Sequence, residues 1–342
     1  MEKKPNILLI YTGGTIGMIK DFETGMLHNF NFDELLEYIP ELNLLECNIA
    51  TKSFEEPIDS SNMNPDYWVE IVNIIEDHYD NFDGFVILHG SDTMSYTASA
   101  LSFMLENLSK PIIFTGSQLP IGDLRTDAKE NLITSIQIAS LRENEKPSIT
   151  EVCLYFEYKL YRANRTTKIN ADHFEAFASL NYPPLVVSGV NLSINKQALL
   201  KTYDQETLKV HKNLVSDVIL VKMFPGITEG AINHLFSYSN IKGMVIESYG
   251  SGNLTDMDWF VTALKKLINN NIPIINVTQC SGGSVDMGIY SVNKKLNKVG
   301  VISGKDITTE AAITKLMFLL GKKIPANKFK TIFETSLRGE MK

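Results

Sequence analysis

Cysteine is scarce in this chain. Cys47, Cys153 and Cys280 are the whole complement of 342 residues, and they stand far apart. Three scattered thiols cannot form a disulfide framework, so a reducing compartment, the cytoplasm by default, is expected. Long apolar runs are also missing. The one that follows Met1-Glu2-Lys3-Lys4-Pro5 stops at Tyr11-Thr12-Gly13-Gly14. That is too short for the core of a signal peptide, and no run has the length of a membrane span. Positive charge is not in excess: 32 Lys and Arg face 40 Asp and Glu, a formal net charge of -8. This balance argues against nucleic acid as a partner, although one lysine in a cleft can still set the field for a small anion. The six histidines show neither metal-ligand nor H-E-x-x-H spacing. G-x-G-x-x-G and G-x-x-x-x-G-K-[ST] are absent, which removes the main support for nucleotide binding, and the lack of G-x-S-x-G weakens a Ser-His-Asp hydrolase.

The residues present describe an α/β protein. Hydrophobic residues make up 44% of a chain long enough for two domains, each with its own core. Short apolar strands are expected at Ile7–Tyr11, Phe85–Leu88, Pro111–Thr115 and Glu151–Phe156. Between them helices are expected to start at Asn64-Pro65, to run from an Asp92 cap through Leu108, and to span about Asp127 to Leu141. Such alternation indicates a larger N-terminal, mostly parallel sheet with flanking helices over 1–190. Residues 191–214 read as a linker. A smaller C-terminal α/β domain over 215–342 has strands at Asp217–Val221, Gly243–Glu247 and Pro273–Val277, with helices at about Thr228–Phe236, Asp256–Asn269 and Thr308–Leu320.

Two corners carry the chemistry. Tyr11-Thr12-Gly13-Gly14-Thr15-Ile16-Gly17 and His89-Gly90-Ser91-Asp92-Thr93-Met94 each follow a buried strand, where ligands bind in an open α/β sheet. A hydroxyl is a poor nucleophile until a base takes its proton, and two corners can set a nucleophile opposite its activating group. Thr15 is the preferred nucleophile, against the plainer role of capping a turn. Asp92 can bind a substrate ammonium or cap the helix that follows. Asp59-Ser60-Ser61-Asn62 can cradle a carboxylate and an amine, or form a turn before Pro65. Arg162-Ala163-Asn164-Arg165-Thr166-Thr167-Lys168 resembles a solvated cationic face, yet a lysine desolvated in a cleft can act as a base. His89 is read as structural support.

These segments resemble the asparaginase/glutaminase family, and its bacterial cytoplasmic (type I) members in particular. The resemblance spans nearly the whole chain: YTGGTIGM from Tyr11, DSSNM from Asp59, GFVILHGSDTMSYTASALSFMLENL from Gly84, TGSQLP from Thr115, LYRANRTTK from Leu160, SYGSGN from Ser248, TQC from Thr278 and LRGE from Leu337. It implies hydrolysis of L-asparagine to L-aspartate and ammonia with no cofactor or metal. Thr15 would form the acyl-enzyme. Lys168 would tune Ser91, which positions or activates water, while Asp92 holds the α-ammonium. Asp59, Ser60 and Ser61 would bind the α-carboxylate and amine, and Ser117 would face the scissile amide. Asn253 would reach a neighbouring subunit's site. The family therefore implies a site between the domains that is completed in a homodimer or homotetramer.

The chain departs from the family pattern at two places. Ser91-Asp92 replaces the usual Thr-Asp pair, which keeps the hydroxyl but drops the methyl that restricts its rotamers. Met26 stands where many relatives carry a tyrosine that hydrogen-bonds the nucleophile. Another hydroxyl of that segment, Tyr290 of a partner subunit, or water or Lys168 remain as activators of Thr15. Glu247 falls near a position where some type I members line an effector pocket with a basic residue. A glutaminase, a transamidation subunit and a non-catalytic amino-acid sensor are the alternatives.

Overall fold

The structure, a computed structural model, describes residues 4–20, 27–29, 39–201, 206–288 and 291–342. The chain divides into two units, Met1–His211 and Lys212–Lys342.

The first unit is built on an eight-stranded sheet. Its strands are β1 (Asn6–Gly13), β2 (Asn48–Ile58), β3 (Gly84–Leu88), β4 (Ile112–Thr115), β5 (Val152–Phe156), β6 (Lys159–Arg162), β7 (Val186–Ser188) and β8 (Leu192–Ile194), in the order β8-β7-β6-β5-β4-β3-β1-β2. From β2 to β5 all pairings are parallel, with Tyr11 beside Leu88 and Leu88 beside Thr115. Beyond β5 they are antiparallel. The reversal has a local cause. Glu157 and Tyr158 both take positive φ, 45° and 67°, and close a two-residue hairpin between β5 and β6. The sheet is thus mixed, with the expected parallel alternation confined to one half.

Ile7 to Tyr11 and Phe85 to Leu88 are buried at every position, as strands covered on both faces must be. Helix α1 (Pro65–His78) begins where the sequence indicates. The Asn64 side chain accepts from the backbone N–H groups of Asp66 (2.9 Å) and Tyr67 (3.4 Å), and Pro65 needs no partner there. Trp68, Ile71, Val72 and Ile75 form its buried face. Helix α2 (Met94–Met104) is buried on nearly all sides, and α3 (Ala128–Ala139) follows β4.

Two expectations need correcting. Helix α2 does not start at an Asp92 cap or reach Leu108. Ser91–Thr93 form a 3-10 turn, the cap position falls on Thr93, and Leu105–Glu106 leave the helix to pair antiparallel with Lys209–Val210. Nor is 191–214 a free linker. Strand β8 joins the first sheet, and the buried Glu151–Arg162 pair (2.6 Å) fastens the segment after that strand. Arg162 donates to Ala198 O (2.8 Å), and Glu151 accepts from Leu200 N (2.9 Å). Weak periodicity hid this attachment, because it rests on two side chains from other parts of the unit.

The second unit has a parallel sheet, β9 (Val218–Lys222), β10 (Gly243–Ser248), β11 (Ile274–Thr278) and β12 (Ile302–Ser303). Its helices are α4 (Glu229–Phe236), α5 (Asp258–Asn269), α6 (Ser291–Val299), α7 (Thr309–Gly321) and α8 (Ala326–Phe333). Thr228 and Thr308 cap α4 and α7 through their hydroxyls. Lys315 on α7 is wholly buried and donates to Phe333 O and Thr335 O (both 2.7 Å) and to the equally buried Glu340. Burial alone would raise the Glu340 carboxyl, but Lys315 and the N–H groups of Leu337 and Arg338 hold it below its ordinary value. Glu247 accepts from Thr309 Oγ1 (2.7 Å) and lies 3.4 Å from Lys222. Among the described residues no helix is long and apolar enough to cross a membrane.

Candidate active site

Strands β2, β1, β3 and β4 are neighbours and parallel, so their carboxyl ends deliver four loops to one edge: Asp59–Ser61, Gly13–Thr15, His89–Asp92 and Gly116–Gln118. Missing side chains let them touch. Gly14 has φ 90°, and a Cβ there would lie 2.5 Å from the N and Cα of Gly90. A Cβ on Gly90 would in turn lie 2.5 Å from Ser60 Oγ. The Thr15, Ser60 and Ser91 corners are therefore in close contact, and only glycine allows the approach.

Thr15 opens a one-turn 3-10 helix, Thr15–Gly17, and is half-buried. The neighbouring Thr12 is spent on the scaffold, where its hydroxyl donates to Leu88 O (3.0 Å). Met26 and Tyr290 lie outside the described residues.

Lys168 reaches the second corner from a strand, Thr167–Lys168, that pairs with Phe177–Ala178. Its Nζ lies 2.9 Å from Ser91 Oγ and 2.7 Å from Asp92 Oδ1. The lysine side chain is 16% exposed and that of Asp92 68%, so the amine is sheltered while the carboxylate opens to solvent. The run Arg162–Lys168 is not the solvated face that its composition suggests. Arg162 and Arg165 are buried, and their guanidiniums lie 4.5 and 5.3 Å from the Tyr182 ring centre. Those two cations hold the fold, and Lys168 alone of the three is directed to Ser91.

Asp59 and Ser61 form the turn that their composition suggested, while remaining exposed beside the corner. Asp59 Oδ1 accepts from Ser61 N (2.8 Å) and Ser61 Oγ (2.9 Å), and these two bonds hold the carboxyl below its ordinary value. Ser60 is buried, and its carbonyl accepts from Thr93 Oγ1 (2.8 Å). Ser117 is 2% exposed with its hydroxyl turned back to Leu119 O (2.6 Å), so it braces the turn instead of presenting a free hydroxyl. His89 is buried, and burial pushes its imidazole down to about 4. Its Nδ1 lies 2.7 Å from Gly90 O, which can only accept, so the proton is on Nδ1 and the ring braces the corner in neutral form. Asn253 belongs to the second unit, where its backbone exchanges hydrogen bonds with Tyr249 (3.0 and 2.8 Å). Among the described residues no group of three or more His, Cys, Asp and Glu is arranged to hold a metal ion.

A sheltered lysine bridging a hydroxyl and a carboxylate, one glycine contact from a threonine, can move protons at an acyl-transfer centre. Residues 6–200 match the family described as Asparaginase, N-terminal, and residues 217–333 match the Glutaminase/Asparaginase C-terminal domain. The chain belongs to the asparaginase family. It is 39% identical to L-asparaginase 1 of Escherichia coli K12 over 343 residues, covering 100% of this chain and 99% of that protein. The crystal structure of L-asparaginase I from Vibrio cholerae superposes with a TM-score of 0.90 at 36% identity, covering 99% of this chain and 100% of that one. The thermostable L-asparaginase from Thermococcus kodakarensis superposes with a TM-score of 0.87 at 28% identity, covering 98% of this chain and 99% of that one.

Within this asparaginase-family chain, sequence reasoning passed over Gln118, Asp127 and Asn131. Gln118 Oε1 lies 3.3 Å from Ser91 Oγ, while its Nε2 donates to Ala171 O (3.1 Å) and His173 O (2.9 Å). Asp127 accepts from Gln118 N (3.0 Å) and Leu119 N (3.1 Å). Gln118 stands inside a segment already singled out. Its partners, however, are 27, 53 and 55 positions away along the chain, beyond the reach of any local pattern.

Proposed function

We propose that this chain hydrolyses L-asparagine to L-aspartate and ammonia through an ester on Thr15. The observation that carries the reading is Lys168, whose amine bridges Ser91 and Asp92 at the corner against which Gly14 packs. Family membership and the full-length likeness to an L-asparaginase support the same chemistry. Thr15 Oγ attacks the side-chain amide carbon and gives up its proton. The C–N bond breaks, the nitrogen takes a proton, and ammonia leaves. Water then attacks the ester carbon, the bond to Thr15 Oγ breaks, and the threonine regains its proton as aspartate departs. Lys168, through Ser91, handles the proton of the attacking water. Asp92, open on one side, holds the α-ammonium, and the Asp59–Ser60–Ser61 turn takes the α-carboxylate and amine. Ser117 shapes the turn that faces the scissile amide. Asn253 is assigned to a neighbouring subunit's site in a homodimer or homotetramer. The scarce, unpaired cysteines favour the cytoplasm.

Thr15→Ala tests the reading. Ammonia release from asparagine is expected to fall below detection with the fold intact by near-UV circular dichroism. Near-normal turnover in that variant would remove Thr15 from the nucleophile's place. Offering asparagine and glutamine side by side identifies the preferred amide.

A further inference from the structure

We propose that Gln118 is a positioning residue for the Ser91–Lys168 pair, held in place from beneath by Asp127 and Asn131. The inference rests on the function proposed above and adds to it a determinant of where the Ser91 hydroxyl points.

The carboxamide has one orientation open to it. Ala171 O and His173 O are carbonyls and can only accept, so the amide nitrogen must face them at 3.1 and 2.9 Å. Oε1 is thereby turned to Ser91 Oγ, 3.3 Å away. Ser91 has one proton and two lone pairs. In the resting site Lys168 Nζ donates to one of these lone pairs at 2.9 Å. The proton of Ser91 goes to Gln118, and one lone pair is left for a water. Serine lacks the γ-methyl that restricts χ1 in threonine, so partners on its two sides must hold the oxygen.

Gln118 can do this only if its own backbone is fixed, and the turn beneath is braced heavily. The buried Asp127 carboxylate accepts from Gln118 N (3.1 and 3.0 Å to its two oxygens), from Leu119 N (3.1 Å) and from Asn131 Nδ2 (3.2 Å). Asn131 Nδ2 also donates to Gly116 O (3.0 Å), and its Oδ1 accepts from Glu157 N (3.1 Å). The chain of bonds therefore runs from the β5–β6 hairpin through α3 to Gln118, and from there to Ser91. It also ties the 171–173 segment to the turn after β4.

The test compares Gln118→Met in two backgrounds, the parent and Ser91→Thr. Methionine matches the length of glutamine and offers no amide. The added methyl of Ser91→Thr holds the hydroxyl without help. In the parent, Gln118→Met is expected to lower kcat for L-asparagine about tenfold or more, since a misplacement of about 1 Å can cost a hundredfold, with KM changed less than about threefold. In the Ser91→Thr background the same substitution is expected to cost less than about threefold. This rescue would not follow from a merely structural role, because independent losses multiply. A parent kcat within twofold, or equal losses in both backgrounds, overturns the proposal. If Gln118→Met does not fold, Gln118→Asn, one methylene short of both partners, is read by the same cycle and the same criteria. Retained activity in Thr15→Ala would instead overturn the proposed function, so the two failures are distinguishable.

Discussion

Removing the Lys168 amine should separate catalysis from stability. In Lys168→Met the aliphatic stem is kept and two contacts are lost, one of 2.9 Å to Ser91 Oγ and one of 2.7 Å to Asp92 Oδ1. The structural cost is small, because the Asp92 side chain is 68% exposed and water replaces its partner. An ion pair so open to solvent contributes about 0.2–1 kcal/mol, so the apparent Tm should move by no more than a few degrees. The catalytic cost is far larger, since a positioned proton-handling group contributes about a hundred- to ten-thousand-fold. Steady-state ammonia release from L-asparagine, paired with thermal melts, measures both quantities on one sample. Lys168→Arg sharpens the outcome. It keeps the charge near Asp92, but a guanidinium does not give up its proton in proteins. If Lys168 moves protons, Arg should be nearly as inactive as Met. An unchanged rate in Lys168→Met would refute the reasoning, and an active Lys168→Arg would reduce the role to fixed charge.

Two further predictions concern stability. Lys315→Met strands the wholly buried Glu340 carboxylate, which should cost about 3–5 kcal/mol. The double variant Lys315→Met, Glu340→Gln should recover much of this in urea melts, and a single variant as stable as the parent would contradict it. His89 is pushed down to about 4 by burial, against 6.5 in the open chain. Between those values the unfolded chain binds a proton that the folded one does not, so this contribution to stability is complete above pH 6.5 and is lost as pH falls toward 4. The slope approaches about 1.4 kcal/mol per pH unit. The stability difference between the parent and His89→Asn should therefore shift toward the variant on acidification, whereas a constant difference would rule it out.

Local pattern carried a good part of the fold. Asn64-Pro65 and the spacing of Trp68, Ile71, Val72 and Ile75 indicate α1 because capping and helical periodicity are properties of neighbours. Thr228 and Thr308 announce α4 and α7 in the same way. The antiparallel end of the first sheet was not legible. It depends on Glu157 and Tyr158 taking positive φ without glycine or asparagine to signal the turn. Local pattern leaves Asp92 open between an ammonium ligand and a helix cap, because Lys168, with which it pairs, is 76 positions away. Gln118 was overlooked for the same reason.

By itself the sequence determined the class of fold, the two corners, and the residue types able to do acyl transfer. These follow from periodicity, from glycine at strand ends, and from collinear blocks shared with a family. The tertiary structure decided how those residues are employed. It committed Arg162 and Arg165 to the interior and directed Lys168 to Ser91. It also turned the Ser117 hydroxyl back on its own loop. The physical reason is that hydrogen-bond direction and desolvation depend on the atoms that surround a side chain, and for each of these groups some of those atoms come from distant segments.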